Sequence, residues 1–131
     1  MDENNIILSG TVARGSGEGT YFMSMQHYQK EVKEKLGFRA YPGTLNLKIE
    51  KKQMDSLKSC SLIKISSHKF GGKTLGALDC YRAKIRNISG SIIIPELTRH
   101  KGVIEFIAPV HLKSKLKLKE GDKIEVKIFN S

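Results

Sequence analysis

Residues 6–12 run apolar and β-branched around Gly10, a pattern that predicts a short strand leading into the glycine-rich stretch Gly15-Ser16-Gly17-Glu18-Gly19. After Tyr21-Phe22, the apolar positions Met25, Tyr28, Val32 and Leu36 recur at helical spacing, with Ser24 as a candidate cap and Gly37 as a stop. This is the one substantial helix the periodicity predicts. Tyr41-Pro42-Gly43 then turns the chain into 44–49, where Leu45, Leu47 and Ile49 alternate with Thr44, Asn46 and Lys48. Alternation of this kind marks a half-buried strand, and it puts Thr44 and Asn46 together on the face away from the leucines. Further strands are expected at 61–65, 78–88, 91–94, 103–107 and 123–129, with turns at Gly71-Gly72 and Glu120-Gly121-Asp122 and a short helix within 109–116. Many short strands with few helices predict a mainly β chain closed into a barrel.

At 131 residues the chain has the size of a single domain, and residues 1–131 are read as one. Lysine and arginine outnumber acids 23 to 13, so a surface of formal charge +10 draws anions: nucleic acid, an anionic membrane or a phosphorylated small molecule. The basic residues are spread along the chain, and a solvated face accounts for most of them. Cys60 and Cys80 lack any CxxC unit, which argues against zinc or a disulfide framework and fits buried thiols. The polar start Met1-Asp2-Glu3-Asn4-Asn5 is no signal peptide and no apolar run approaches membrane-spanning length, so a cytoplasmic protein without membrane partners is expected.

Closely spaced glycines let backbone amides crowd around an anion, while a Thr hydroxyl and an Asn carbonyl are hard oxygen donors of the kind Mg²⁺ accepts. Gly15 to Gly19 followed by Thr44 and Asn46 therefore points towards nucleotide chemistry. The spacing is not a dinucleotide fingerprint, which needs a helix opening directly from the loop inside a parallel β-α-β unit. Gly72-Lys73-Thr74 resembles the end of a P-loop, but Ser67 occupies the position of its opening glycine and a hairpin turn explains the glycines better. His27, His68, His100 and His111 show no paired metal spacing, and only His100 and His111 stay as weak site candidates. Glu105 interrupts an apolar strand whose same face carries Val103 and Ile107, so pattern alone leaves its burial open. A buried carboxylate there would need a partner and would be a candidate base or substrate anchor.

Taken in order, Gly15-Ser16-Gly17-Glu18-Gly19-Thr20-Tyr21-Phe22, Leu36-Gly37-Phe38, Tyr41-Pro42-Gly43-Thr44-Leu45-Asn46, Thr98-Arg99-His100, Glu105-Phe106-Ile107-Ala108-Pro109 and Gly121-Asp122 resemble the archaeal CTP-dependent riboflavin kinases over nearly the whole chain. The resemblance implies a small Greek-key β-barrel of the cradle-loop type. It implies transfer of the γ-phosphate of CTP to the ribityl 5′-hydroxyl of riboflavin, giving FMN and CDP with one Mg²⁺. The matching positions imply that Gly15, Ser16, Gly17, Glu18, Gly19 and Thr20 embrace the nucleotide phosphates, and that Val110, His111, Leu112 and Lys113 also contact the nucleotide. They further imply Thr44 and Asn46 as Mg²⁺ ligands and Thr98 and Glu105 as flavin-binding positions. Lys113 stands where family members usually carry arginine, keeping the charge and losing the bidentate fork. Some relatives carry an amino-terminal winged-helix domain. This chain begins almost directly at its first strand, so the kinase domain alone is expected; a monomer is expected as well.

The runner-up is a basic β-barrel that binds nucleic acid, carried by the charge and by the kinship of cradle-loop barrels with regulators. Five Phe and four Tyr without Trp form no stacking row, and no recognition-helix signature accompanies them. A third reading is a flavin or nucleotide carrier without catalysis, should Lys113 or another local change have disabled transfer.

Overall fold

A computed structural model describes residues 6–15, 18–96 and 102–129. Among these residues nine strands and four short α-helices follow one another as β1 (Ile6–Ala13), α1 (Glu18–Met23), α2 (Gln26–Leu36), β2 (Leu45–Lys48), α3 (Lys51–Ser56), β3 (Ile63–Ile65), β4 (His68–Phe70), β5 (Lys73–Leu75), β6 (Leu78–Ile85), β7 (Ile88–Pro95), β8 (Val103–Ile107), α4 (Leu112–Lys115) and β9 (Lys123–Ile128). Six of the strands close on themselves in the order β6-β7-β8-β2-β1-β9, and β9 returns to β6 through Ala83↔Ile128 and Lys84↔Lys127. All pairings are antiparallel. Strands β6, β7 and β8 form a meander, and β9 comes back to lie beside β6, which is the Greek-key order. The mainly β barrel expected from the sequence is therefore present.

Alternation along the strands builds two cores. Leu8, Val12, Leu45, Leu47, Ile92, Ile104, Phe106, Val126 and Ile128 fill the barrel. On the outside, Phe22, Met23, Tyr28, Val32 and Leu36 from α1 and α2 cover Ile65, Leu78, Cys80, Ile93 and Ile107. Strands β6 to β8 are thus buried on both faces, which is why they read as continuous apolar runs. Tyr28 is wholly buried; its hydroxyl donates to the Gly76 carbonyl at 2.8 Å, and burial pushes its pKa up to about 12. Both cysteines are free and buried, as expected, and burial pushes the Cys80 thiol up to about 12.

Several local expectations change. The main helix begins after Met25 and not after Ser24, whose hydroxyl bonds the Tyr21 carbonyl at 2.6 Å and so ends the preceding turn. Gly37 does stop it, in the left-handed conformation at φ 89. Residues 78–88 are not one strand, because Arg86, at φ 53, turns the chain between β6 and β7. A short helix, α1, does open within the glycine stretch, yet no parallel pairing surrounds it, so a dinucleotide fold stays excluded.

Candidate active site

Strand β2 lies between β1 and β8, and this order assembles the site. Asn46 is the register partner of Ala13 on one side and of Glu105 on the other. Leu45 and Leu47 point into the barrel, so Asn46 shares the outer face with Glu105, directly across the ladder. Glu105 is only 6% exposed, because α1 lies over this part of the barrel wall. Its Oε1 accepts two hydrogen bonds, from the Thr44 hydroxyl at 2.7 Å and from the Gly19 amide at 3.1 Å.

The chain leaving β1 folds back over this row, and two glycines make the approach possible. A Cβ on Gly15 would occupy the space of the Asn46 side-chain amide. A Cβ on Gly19 would overlap the Glu105 carboxylate and lie 2.8 Å from the Thr44 methyl. Neither glycine has positive φ, so each is required for space and not for backbone freedom. Both described ends of the glycine stretch therefore sit on the residues read from the sequence as metal donors and flavin anchor.

Beside this row, Tyr41 and His111 set their rings 5.0 Å apart at 35°. They close over Gly43, whose Cβ would come within 2.9 Å of the Tyr41 ring and 3.2 Å of the His111 ring. Nδ1 of His111 lies 2.6 Å from the Ser114 hydroxyl, which holds that ring, and the Tyr41 amide donates to the Ala108 carbonyl at 2.8 Å, which holds the backbone at Tyr41. Val110 and Lys113 are half-buried, whereas the Leu112 side chain belongs to the barrel core and leaves only its backbone for a ligand. Thr20 is exposed on α1. Ser16, Gly17, Thr98 and His100 lie outside the described residues.

Two contributors were not singled out from the sequence as site residues. Tyr41 was read as part of a turn and of a matching segment but given no role, and the place of its exposed ring beside His111 depends on a contact 70 positions away in the chain. Gln29 donates to the carbonyls of Met23 and Ala40, both at 2.7 Å, and accepts from the Ala40 amide at 3.1 Å. It ties the end of α1 to the approach to Gly43, and as a polar residue on a helix it carried no pattern to mark it.

The oxygen donors suit a hard cation. Among the described residues no group of three or more His, Cys, Asp or Glu could hold a metal ion, so a protein-only cage is not built there. A Thr hydroxyl and an Asn amide oxygen beside one carboxylate match the Mg²⁺ pattern, in which few protein ligands are completed by water and phosphate oxygens.

A closed Greek-key barrel with both described ends of a glycine stretch packed beside its β2–β8 ladder defines the class of small antiparallel β-barrel domains to which this chain belongs. Residues 12–128 match the family described as CTP-dep_RFKase, a domain of unknown function (DUF120), and the chain belongs to it. The riboflavin kinase of Pyrobaculum islandicum is 43% identical over 132 residues, 95% of this chain and 61% of that protein. The riboflavin kinase of Archaeoglobus fulgidus is 40% identical over 132 residues, 98% of this chain and 57% of that protein. For Ignicoccus hospitalis the riboflavin kinase is 38% identical over 130 residues, 95% and 72% respectively. The chain spans about three fifths of the length of the first two.

Proposed function

We propose that this domain is a riboflavin kinase that takes its phosphoryl group from CTP. The observation that carries the reading is the convergence of Gly15, Gly19, Thr44, Asn46 and Glu105 on one patch of barrel wall, in a chain similar to archaeal riboflavin kinases.

Phosphoryl transfer needs alignment and charge stabilisation more than covalent work by the protein. In this reading the backbone amides of the glycine stretch hold the phosphates, and Val110 to Lys113 contact the rest of the nucleotide. Thr44 and Asn46 would hold Mg²⁺, whose charge, when bound, would offset that of the triphosphate. The ribityl 5′-oxygen bonds to the γ-phosphorus as the bond from that phosphorus to the bridging oxygen breaks, and CDP leaves. The hydroxyl proton passes to Glu105 or, where Glu105 only hydrogen-bonds the ribityl chain, to solvent water. Thr98 is assigned to the flavin by the family match alone. The net charge of +10 gathers an anionic nucleotide from a distance.

The test is FMN formation from riboflavin, followed by chromatography with CTP or ATP, each with Mg²⁺ or chelator. FMN only with CTP and metal supports the whole reading. Turnover with ATP keeps the reaction and overturns the donor, and no FMN under any condition refutes the proposal.

A further inference from the structure

We propose that Glu105 is a positioning residue: its carboxylate is the latch that couples the glycine stretch to the metal-donor strand, so that the loop and the donors order as one unit. The inference rests on the kinase reading for its functional consequence, but the latch itself is a property of the free protein.

A single oxygen, Glu105 Oε1, receives both the Gly19 amide and the Thr44 hydroxyl. Because Thr44 commits its only proton to Glu105, its lone pairs are what remain for a cation. The same oxygen fixes the start of α1, and the Gly19 Cα packs against the carboxylate with no room for a methyl group. At the other end of the loop Asn46, the cross-strand neighbour of Glu105, fills the space beside Gly15. Each loop end is thus seated on a donor side chain, and a change at either is felt by the other. A cation that sharpens the orientation of Thr44 also steadies the amides that would hold phosphate, and by linkage phosphate binding tightens the cation.

Such a latch needs an acceptor oxygen and no negative charge. Glutamine supplies that oxygen and alanine does not, whereas a general base is lost in both. In the free protein, hydrogen exchange at the Gly19 amide should be about 3- to 10-fold faster in Glu105→Ala than in Glu105→Gln, the weight of one hydrogen bond to a neutral acceptor, and about 10- to 100-fold faster than in wild type, whose acceptor is charged. In the kinase assay, Glu105→Ala should raise the Mg²⁺ concentration for half-maximal turnover by a similar factor. Glu105→Gln should recover most of that shift, with a pH profile parallel to wild type.

Equal Gly19 exchange in wild type, Glu105→Gln and Glu105→Ala would overturn the latch. So would a Glu105→Gln variant with protected Gly19 and unshifted Mg²⁺ demand but turnover as low as Glu105→Ala, because that pattern belongs to a proton acceptor. If Glu105→Ala does not fold, Thr44→Val takes its place, removing one of the two bonds; unchanged Gly19 exchange there refutes the coupling. Exchange is read without substrates, so failure of the kinase reading and failure of the latch give different results.

Discussion

Replacing Gly19 by alanine sets two opposed effects against each other, and their magnitudes decide the sign. Gly19 is the second residue of α1, and helix propensity alone favours alanine there by about 0.5–1 kcal/mol. The new Cβ would overlap Glu105 Oε1 and lie 2.8 Å from both the Glu105 Cδ and the Thr44 methyl carbon, closer than carbon atoms approach. Either the carboxylate swings away or the start of α1 lifts, and each movement breaks the 3.1 Å bond from the Gly19 amide. A hydrogen bond to a charged group contributes about 1.5–3 kcal/mol, so the loss outweighs the propensity gain by about 1–2 kcal/mol. For a domain of this size that lowers Tm by roughly 3–10 °C, to be read by calorimetry without ligand. The same displacement moves the amides proposed to hold phosphate, so KM for CTP should rise about tenfold or more, at about 1.4 kcal/mol per factor of ten. An unchanged or raised Tm would refute the reasoning, because it would mean that the packing of Gly19 on Glu105 contributes nothing.

Thr44→Val and Asn46→Leu each remove an oxygen proposed as a Mg²⁺ ligand, so both should raise the Mg²⁺ needed for half-maximal FMN formation; superimposable Mg²⁺ titrations would rule out these ligands. Glu31 is held down to about 2, from 4.5, by hydrogen bonds from Lys35 and the Ser66 amide, which outweigh the opposing effect of burial. Because its folded pKa is depressed, its contribution to stability is whole above pH 4.5 and is lost as pH falls towards 2; denaturant midpoints of Glu31→Gln should be flatter across that window, and an equal slope would disprove the assignment. Gly90→Ala would drive a Cβ into the Ile107 carbonyl and to 2.8 Å from the Phe106 ring, lowering the urea midpoint by the equivalent of about 1–3 kcal/mol, and an unshifted midpoint would contradict that packing.

The alternation of Leu45 and Leu47 with Thr44 and Asn46 was enough to place β2 and its outward face. That pattern works because one side of β2 meets the barrel core and the other does not. On β8 the same logic failed: Ile104 and Phe106 face the barrel while Ile107 faces α1 and α2, so apolar residues stand on both sides of Glu105 and alternation says nothing about its burial. What settles it is a tertiary fact, the return of α1 over the wall. Helices α1 and α3 have six residues each, too few for helical periodicity to emerge, and α3 buries none of its own. Arg86 takes a positive φ without glycine, and Asn87 beside it was the one turn-favouring residue that could have split 78–88. The pairing of Tyr41 with His111, like that of Gln29 with Ala40, joins positions whose nearness only the fold creates.

Strand order explains why such distant residues form one site. In a meander β2 would pair with the next barrel strand, but the Greek-key return places it between β1 and β8 and so brings residues 15, 46 and 105 onto one row. Asn46 and Glu105 then stand on strands paired on both sides, and Thr44 stands at the entrance to β2. Rigid strands hold oxygen donors more accurately than loops do, while a loop whose amides are not committed to a sheet can offer them to an anion. Net charge and site geometry act at different ranges: a charge of +10 raises the encounter rate for any anion and selects none. Selection has to come from contacts within a few ångströms, and the packing of Gly15 on Asn46 and of Gly19 on Glu105 sets where the glycine stretch can offer them.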